Sequence, residues 1–154
     1  MFLENADQAK DNMPAETLKN MKGEALFLRA YYHFMLTAYW GDVPYRDKST
    51  ASALDGHIPV TPRATVFEYI IKDMKDALDM LPEITVHNIG GRASKSAAKG
   101  MLARMYLYAA GMLDQPAFYT DARYWAEQII DDGRHALNPS FEDVFIKYMK
   151  DEYD

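Results

Sequence analysis

The sequence predicts an all-α fold built from antiparallel helix pairs with long connecting loops, and three observations carry that expectation. Apolar residues recur at helical spacing in several separate segments. Each segment is bounded by residues that start or stop helices. The segment from about Lys95 to Ala110 is also rich in small residues at Ala97, Ala98, Gly100 and Ala103, which lets a neighbouring backbone come close. With 154 residues and 49% apolar content, the chain is long enough for one domain with a real core.

The longest helix is expected from Pro14 to about Trp40, and its second half reads GEALFLRAYYHFMLTAYWGDVPYR over 23–46. Pro14 suits a first turn, where its missing N–H is harmless, and Glu16 sits at the positive end. From Leu18, the apolar positions Met21, Ala25, Leu28, Tyr32, Met35 and Tyr39 define one face expected to be buried. A second stripe follows Phe27, Tyr31, Phe34 and Ala38. Two stripes on adjacent faces predict contacts on more than one side, and so a central place in the array. Gly41 then stops the helix and Pro44 forbids its resumption. Glu24, Arg29 and His33 interrupt the apolar zone; the last two share a face and are expected to form a buried polar line. Residues 1–12 read as the last turns of a helix.

Residues 41–62 lack a usable period and form a loop of about twenty residues, a length that usually signals function or disorder. Asp42, Tyr45, Arg46, Asp47 and Lys48 cluster there beside Tyr39 and Trp40. Aromatic rings next to short polar side chains suit the recognition of sugar hydroxyls with ring stacking. The alternative is that Trp40 and Tyr45 cover the helix end and Asp42 caps the turn. Thr65 and Glu68 form a capping-box pattern for a helix running to Leu81. Val66, Tyr69/Ile70, Met74, Ala77/Leu78 and Leu81 are its expected buried stripe; Lys72, Asp73, Lys75, Asp76 and Asp79 are its expected solvated side. A loop follows over 82–92, then Ser94 announces the helix to Ala110. The last helix is expected over 121–130, with Gly133 as its stop, and an amphipathic piece, Phe141 to Tyr148, lies in the tail.

Composition removes whole classes of chemistry. A net charge of −6 without a basic helix face argues against a nucleic-acid surface. The absence of cysteine removes disulfides, thiolate metal sites and a thiol nucleophile. No apolar run approaches the roughly 20 residues that span a bilayer as a helix. His33, His57, His87 and His135 lie far apart and fit no metal-ligand spacing, no P-loop or nucleophile-elbow motif occurs, and no facing pair of acids stands out. The expectation is a protein without catalytic residues, metal or cofactor.

The two last helices, with Leu102, Ala103, Tyr106, Gly111, Ala122 and Ala126, resemble a tetratricopeptide helix pair, and the two preceding helices form a second pair with an enlarged loop. A more specific resemblance covers most of the chain. Glu24, Phe27, Leu28, Arg29, Ala30, Phe34, Leu36 and Trp40 followed by Gly41-Asp42-Val43-Pro44 are similar to the hallmark stretch of the SusD/RagB family, the surface nutrient-binding lipoproteins of Bacteroidetes. Pro62-Arg63 before VFEYIIKDM, then Leu81-Pro82, then Gly91-Arg92-Ala93-Ser94-Lys95-Ser96-Ala97-Ala98 leading to Leu102-Ala103-Arg104-Met105-Tyr106, follow that family's second signature in order.

The resemblance implies a helical scaffold on the outer-membrane surface, lipid-anchored in the full-length protein. It implies non-catalytic capture of oligosaccharide or another nutrient, and docking on a SusC-type TonB-dependent transporter. Family members are much longer, so residues 1–154 are expected to be one SusD-like helical domain truncated at both ends. Two readings remain. In the first, sugar rings stack on Tyr39, Trp40 or Tyr45 while Asp42 or Arg46 holds hydroxyls. In the second, this portion is a structural scaffold that docks on the transporter without touching ligand. Exposure of Trp40 and Tyr45 separates them.

Overall fold

The computed structural model describes residues 2–50, 52, 56–87, 91–137 and 139–142. Helix α1 (Phe2–Asn5) and a 3-10 turn (Ala6–Ala9) lead into α2 (Ala15–Trp40). Then follow α3 (Arg63–Met80), the short α4 (Ile84–His87), α5 (Lys95–Met112) and α6 (Phe118–Ile130). The all-α expectation holds, with α2 packed on α3 and α5 on α6 as two pairs, and α3 against α5 joining them. A lone antiparallel bridge, Val43 with Thr61, is the one β feature among the described residues.

The core runs through the middle of this array. Phe67, Ile70 and Met74 of α3 meet Leu102, Met105 and Ala109 of α5, with Ala30 and Phe34 of α2 closing one side and Ala122 of α6 the other. Phe34 stands edge-on to Phe67 at 6.4 Å and to Tyr108 at 5.3 Å, so it links both pairs. Ser94 caps α5 as expected, its hydroxyl accepting from the Ala97 N–H at 3.3 Å. Gly41 at φ 80° and Gly133 at φ 69° mark the ends of α2 and α6.

Several expectations are corrected. The central helix is α3, not α2, which packs chiefly on α3 and lies at one edge of the described array. On α2 the buried line is Leu18, Gly23, Leu26, Ala30, Phe34 and Thr37, whereas Met21, Leu28, Tyr32 and Tyr39 of the expected stripe are exposed. A helix apolar around most of its circumference gives periodicity no way to choose between faces. The choice falls to the small residues, because Gly23 and Ala30 let α3 approach where bulkier side chains cannot. Asp73, expected on the solvated side of α3, is 5% exposed, while Tyr69 is 43% exposed.

The start of α3 also differs. It begins at Arg63 with Pro62 as its cap residue, and no side chain of its own caps it, so Thr65 and Glu68 do not form the capping box. The missing acceptor comes from across the loop, where Asp42 Oδ1 receives the Arg63 N–H at 2.8 Å. Helix α6 starts at Phe118, three residues before the expected Asp121, and α4 adds one helical turn to the 82–92 loop. Of the tail segment 141–148, only Phe141 and Glu142 belong to the described residues, and Phe141 is exposed.

Candidate ligand-binding surface

The loop after α2 is fastened at its two ends. Gly41 leaves the helix with its N–H still bonded to the Thr37 carbonyl, and the Thr37 hydroxyl, fully buried, donates to the Gly41 carbonyl at 2.7 Å. Val43 and Thr61 then exchange two backbone hydrogen bonds, 3.2 and 3.0 Å, so the chain between them leaves and returns at one place. This is why Asp42 reaches the first N–H of α3.

Inside the loop, Tyr45 turns inward. Its ring lies 4.5 Å from the His33 ring and 4.8 Å from the Tyr69 ring, and its hydroxyl donates to Asp73 Oδ2 at 2.7 Å. Burial, and then the bond to Asp73, push the Tyr45 phenol well above its ordinary range, so it stays a donor. The same carboxylate takes a two-pronged bond from Arg29, Nε to Oδ2 at 2.6 Å and Nη2 to Oδ1 at 2.7 Å. That bond raises the Arg29 guanidinium above its ordinary value against the opposing effect of burial. One turn further along α2, His33 Nδ1 is 2.9 Å from the Arg29 carbonyl, which can only accept, so Nδ1 carries the proton. His33 Nε2 is then free to accept the Arg46 N–H at 3.2 Å. The polar line expected along α2 at Arg29 and His33 is therefore real, and its partners are Asp73 and the loop.

Beside this network opens a groove of about 540 Å³, walled by Tyr45 and Asp47 on the loop side and by Tyr69 and Lys72 on α3, with Arg29 and Asp73 at its floor. Two aromatic rings next to paired charges suit a neutral, hydroxyl-rich ligand better than an ion, because the charges cancel.

The five residues singled out from sequence are not gathered at one point. Tyr45 lines the groove. Asp42 is engaged by α3, and the Arg46 guanidinium is engaged by the Thr50 hydroxyl at 2.5 Å and the Gly56 carbonyl at 3.3 Å. Tyr39 and Trp40, in the last turn of α2, are 72% and 71% exposed and stand edge to face at 5.8 Å. Sequence reasoning missed Asp73 and Tyr69. A signal for Asp73 was present: it falls three residues after Ile70 and four before Ala77, on the buried side, and an arginine interrupts the facing helix.

Comparison with known proteins follows the same lines. The family described as starch-binding and associating with the outer membrane matches residues 1–107. The chain belongs to this SusD-like family. A SusD-like protein of Bacteroides ovatus is 29% identical over 126 residues, 79% of this chain and 22% of that protein. SusD-like protein P2 of Formosa agariphila is 36% identical over 105 residues, 67% of this chain and 19% of that protein. The chain thus spans about a fifth of the length of these SusD-like relatives. Among solved structures, a SusD superfamily protein of Bacteroides fragilis superposes with TM-score 0.80 at 21% identity, over 97% of this chain and 31% of that one. Surface glycan-binding protein A of Bacteroides uniformis gives TM-score 0.77 at 24% identity, over 92% and 31%. At these identities the likeness speaks for the SusD-like fold.

Proposed function

We propose that this SusD-like segment is part of a non-catalytic carbohydrate-binding protein of the outer-membrane surface, lipid-anchored in its full-length form, which hands oligosaccharide to a SusC-type transporter. The observation that carries the ligand-binding role is the exposure of Trp40, with Tyr39 beside it, at the start of the 41–62 loop; Tyr45, the other ring expected to separate the two readings, is turned inward on His33 and Tyr69. Two large rings held at the end of a rigid helix offer a stacking platform at little entropic cost. Sugar rings stack on Trp40 and Tyr39, and other units of the oligosaccharide meet Tyr45 and Asp47 in the groove. Asp42 and Arg46 act through the shape of the loop. Contacts this few give weak binding by themselves. Titration with maltoheptaose, comparing the chain with its Trp40→Ala variant at equal helicity by circular dichroism, tests this. Loss of binding supports the platform; unchanged binding removes Trp40 from the ligand surface.

A second reading, transporter docking without ligand contact, is favoured by a different observation. Leu28, Tyr32, Leu36 and Trp40 recur every four residues on the outer face of α2, all exposed. At about 1.5 Å per residue they make a stripe of roughly 18 Å, longer than one sugar ring and half aliphatic. Leu36→Glu separates the readings: it weakens capture of the transporter if the stripe docks there, and leaves maltoheptaose binding intact.

A further inference from the structure

We propose that Asp73 is the positioning residue of the 41–62 loop, its buried carboxylate drawing Arg29 and Tyr45 together and so setting the loop against α2 and α3. The functional half of this inference rests on the reading of the loop face as a ligand surface; the mechanical half does not.

Three observations converge on Asp73. It is 5% exposed on a helix where Lys72 and Lys75 face solvent, and a carboxylate stays in such a place only when partnered. Both partners come from outside its own helix, Arg29 from α2 and Tyr45 from the loop, so three segments meet at two oxygen atoms. The neighbours of that meeting point hold the rest of the loop's first half. Arg29 Nη1 reaches the Asp47 carbonyl at 3.4 Å, and His33 takes the Arg46 N–H while its ring packs on Tyr45. Residues Tyr45, Arg46 and Asp47 are thus each tied to the Arg29–Asp73 pair directly or through one side chain. The helices have other means of cohesion, since Leu26, Ala30 and Phe34 meet Phe67, Ile70 and Met74 in the apolar core. Neutralising Asp73 should therefore release the loop before it releases the helices. The groove would follow, because one wall is the loop and the other is α3.

Hydrogen exchange read by mass spectrometry, together with maltoheptaose titration, tests this on Asp73→Asn and Tyr45→Phe. Asn keeps the shape of Asp and loses the charge. The expected result is exchange of the Val43, Arg46 and Thr61 amides faster by roughly tenfold, with α5 and α6 unchanged. Tyr45→Phe should act in the same direction and more weakly, since Arg29 keeps its partner. Maltoheptaose affinity should fall with loop protection. Loop exchange unchanged in Asp73→Asn overturns the proposal, and so does equal acceleration along α2 and α3, which would make the pair a tie between helices. Weakened binding with loop exchange unchanged would make Asp73 a ligand contact and equally overturn it. If the unmodified chain does not bind maltoheptaose, the ligand reading falls, while the exchange experiment still decides the role of Asp73.

Discussion

The same substitution, glycine to alanine, is expected to act with opposite sign at two positions inside helices, Gly23 in α2 and Gly100 in α5. Exchanging an interior helical glycine for alanine gains about 1 kcal/mol from propensity alone. At Gly23 the new Cβ would stand 2.9 Å from Met80 Cβ and 3.2 Å from the Leu81 backbone nitrogen. Neither atom is the tip of a flexible side chain, so relief requires α2 and α3 to separate. Overpacking of this kind costs about 1–3 kcal/mol, and the net expectation is a loss of about 1 kcal/mol. At Gly100 the nearest atom is Ile129 Cδ1 at 3.7 Å, an ordinary contact, so the full gain of about 1 kcal/mol should appear. The two variants should differ by about 2 kcal/mol, or about 4–8 °C in Tm for a chain of this size. Urea denaturation followed by circular dichroism measures both. A Gly23→Ala protein as stable as Gly100→Ala would refute the claim that α2 and α3 touch through that glycine.

Three further expectations follow from other contacts. Gly41→Ala must hold φ 80° with ψ −117°, outside the left-handed helical region, at a cost of about 1–3 kcal/mol to a side chain; the nearby Arg63 Nη2 can swing aside, so a loss of unfolding free energy beyond that range would mean that the guanidinium is fixed. Asp42→Ala removes the acceptor for the Arg63 N–H and should cost about 1 kcal/mol, with faster exchange confined to the first turn of α3. Asp7 is held below its usual 3.8 by its hydrogen bond to Lys22, so the stability it adds is present above that pH and lost as pH falls through the depressed value. Asp7→Asn should flatten the pH dependence in that window, and high salt should do the same, because the carboxylate is fully exposed.

The four long helices, the two pairs and most of their boundaries were legible in the sequence because periodicity and punctuation are local properties. What was not legible depended on what lay opposite. Three polar residues of the signature stretches illustrate this. Glu24 takes Arg92 in a two-pronged bond at 2.8 and 2.9 Å, tying α2 to the entrance of α5. Arg29 takes Asp73, and Asp42 takes the backbone of Arg63. These residues could be read as motif letters, yet their partners lie between 21 and 68 positions away. The buried face of α2 was misread for a related reason, since a helix greasy all round shows its inner side only through the glycine and alanine that α3 selects. The candidate site was read as one cluster because its residues are adjacent in the chain; the turn at Gly41 sends Trp40 outward and Tyr45 inward.

The paired backbone bonds between Val43 and Thr61 have an evolutionary corollary. They convert the intervening stretch into a cassette whose two mounting points are fixed by the scaffold. Lengthening such a cassette is inexpensive, about 0.6 kcal/mol of closure entropy for each doubling. Descendants of this chain could therefore exchange the contents between Lys48 and Val60 for other sequences, and so try new chemical tastes, while the tethered Tyr45–Asp47 stretch and the rods beneath stay in register.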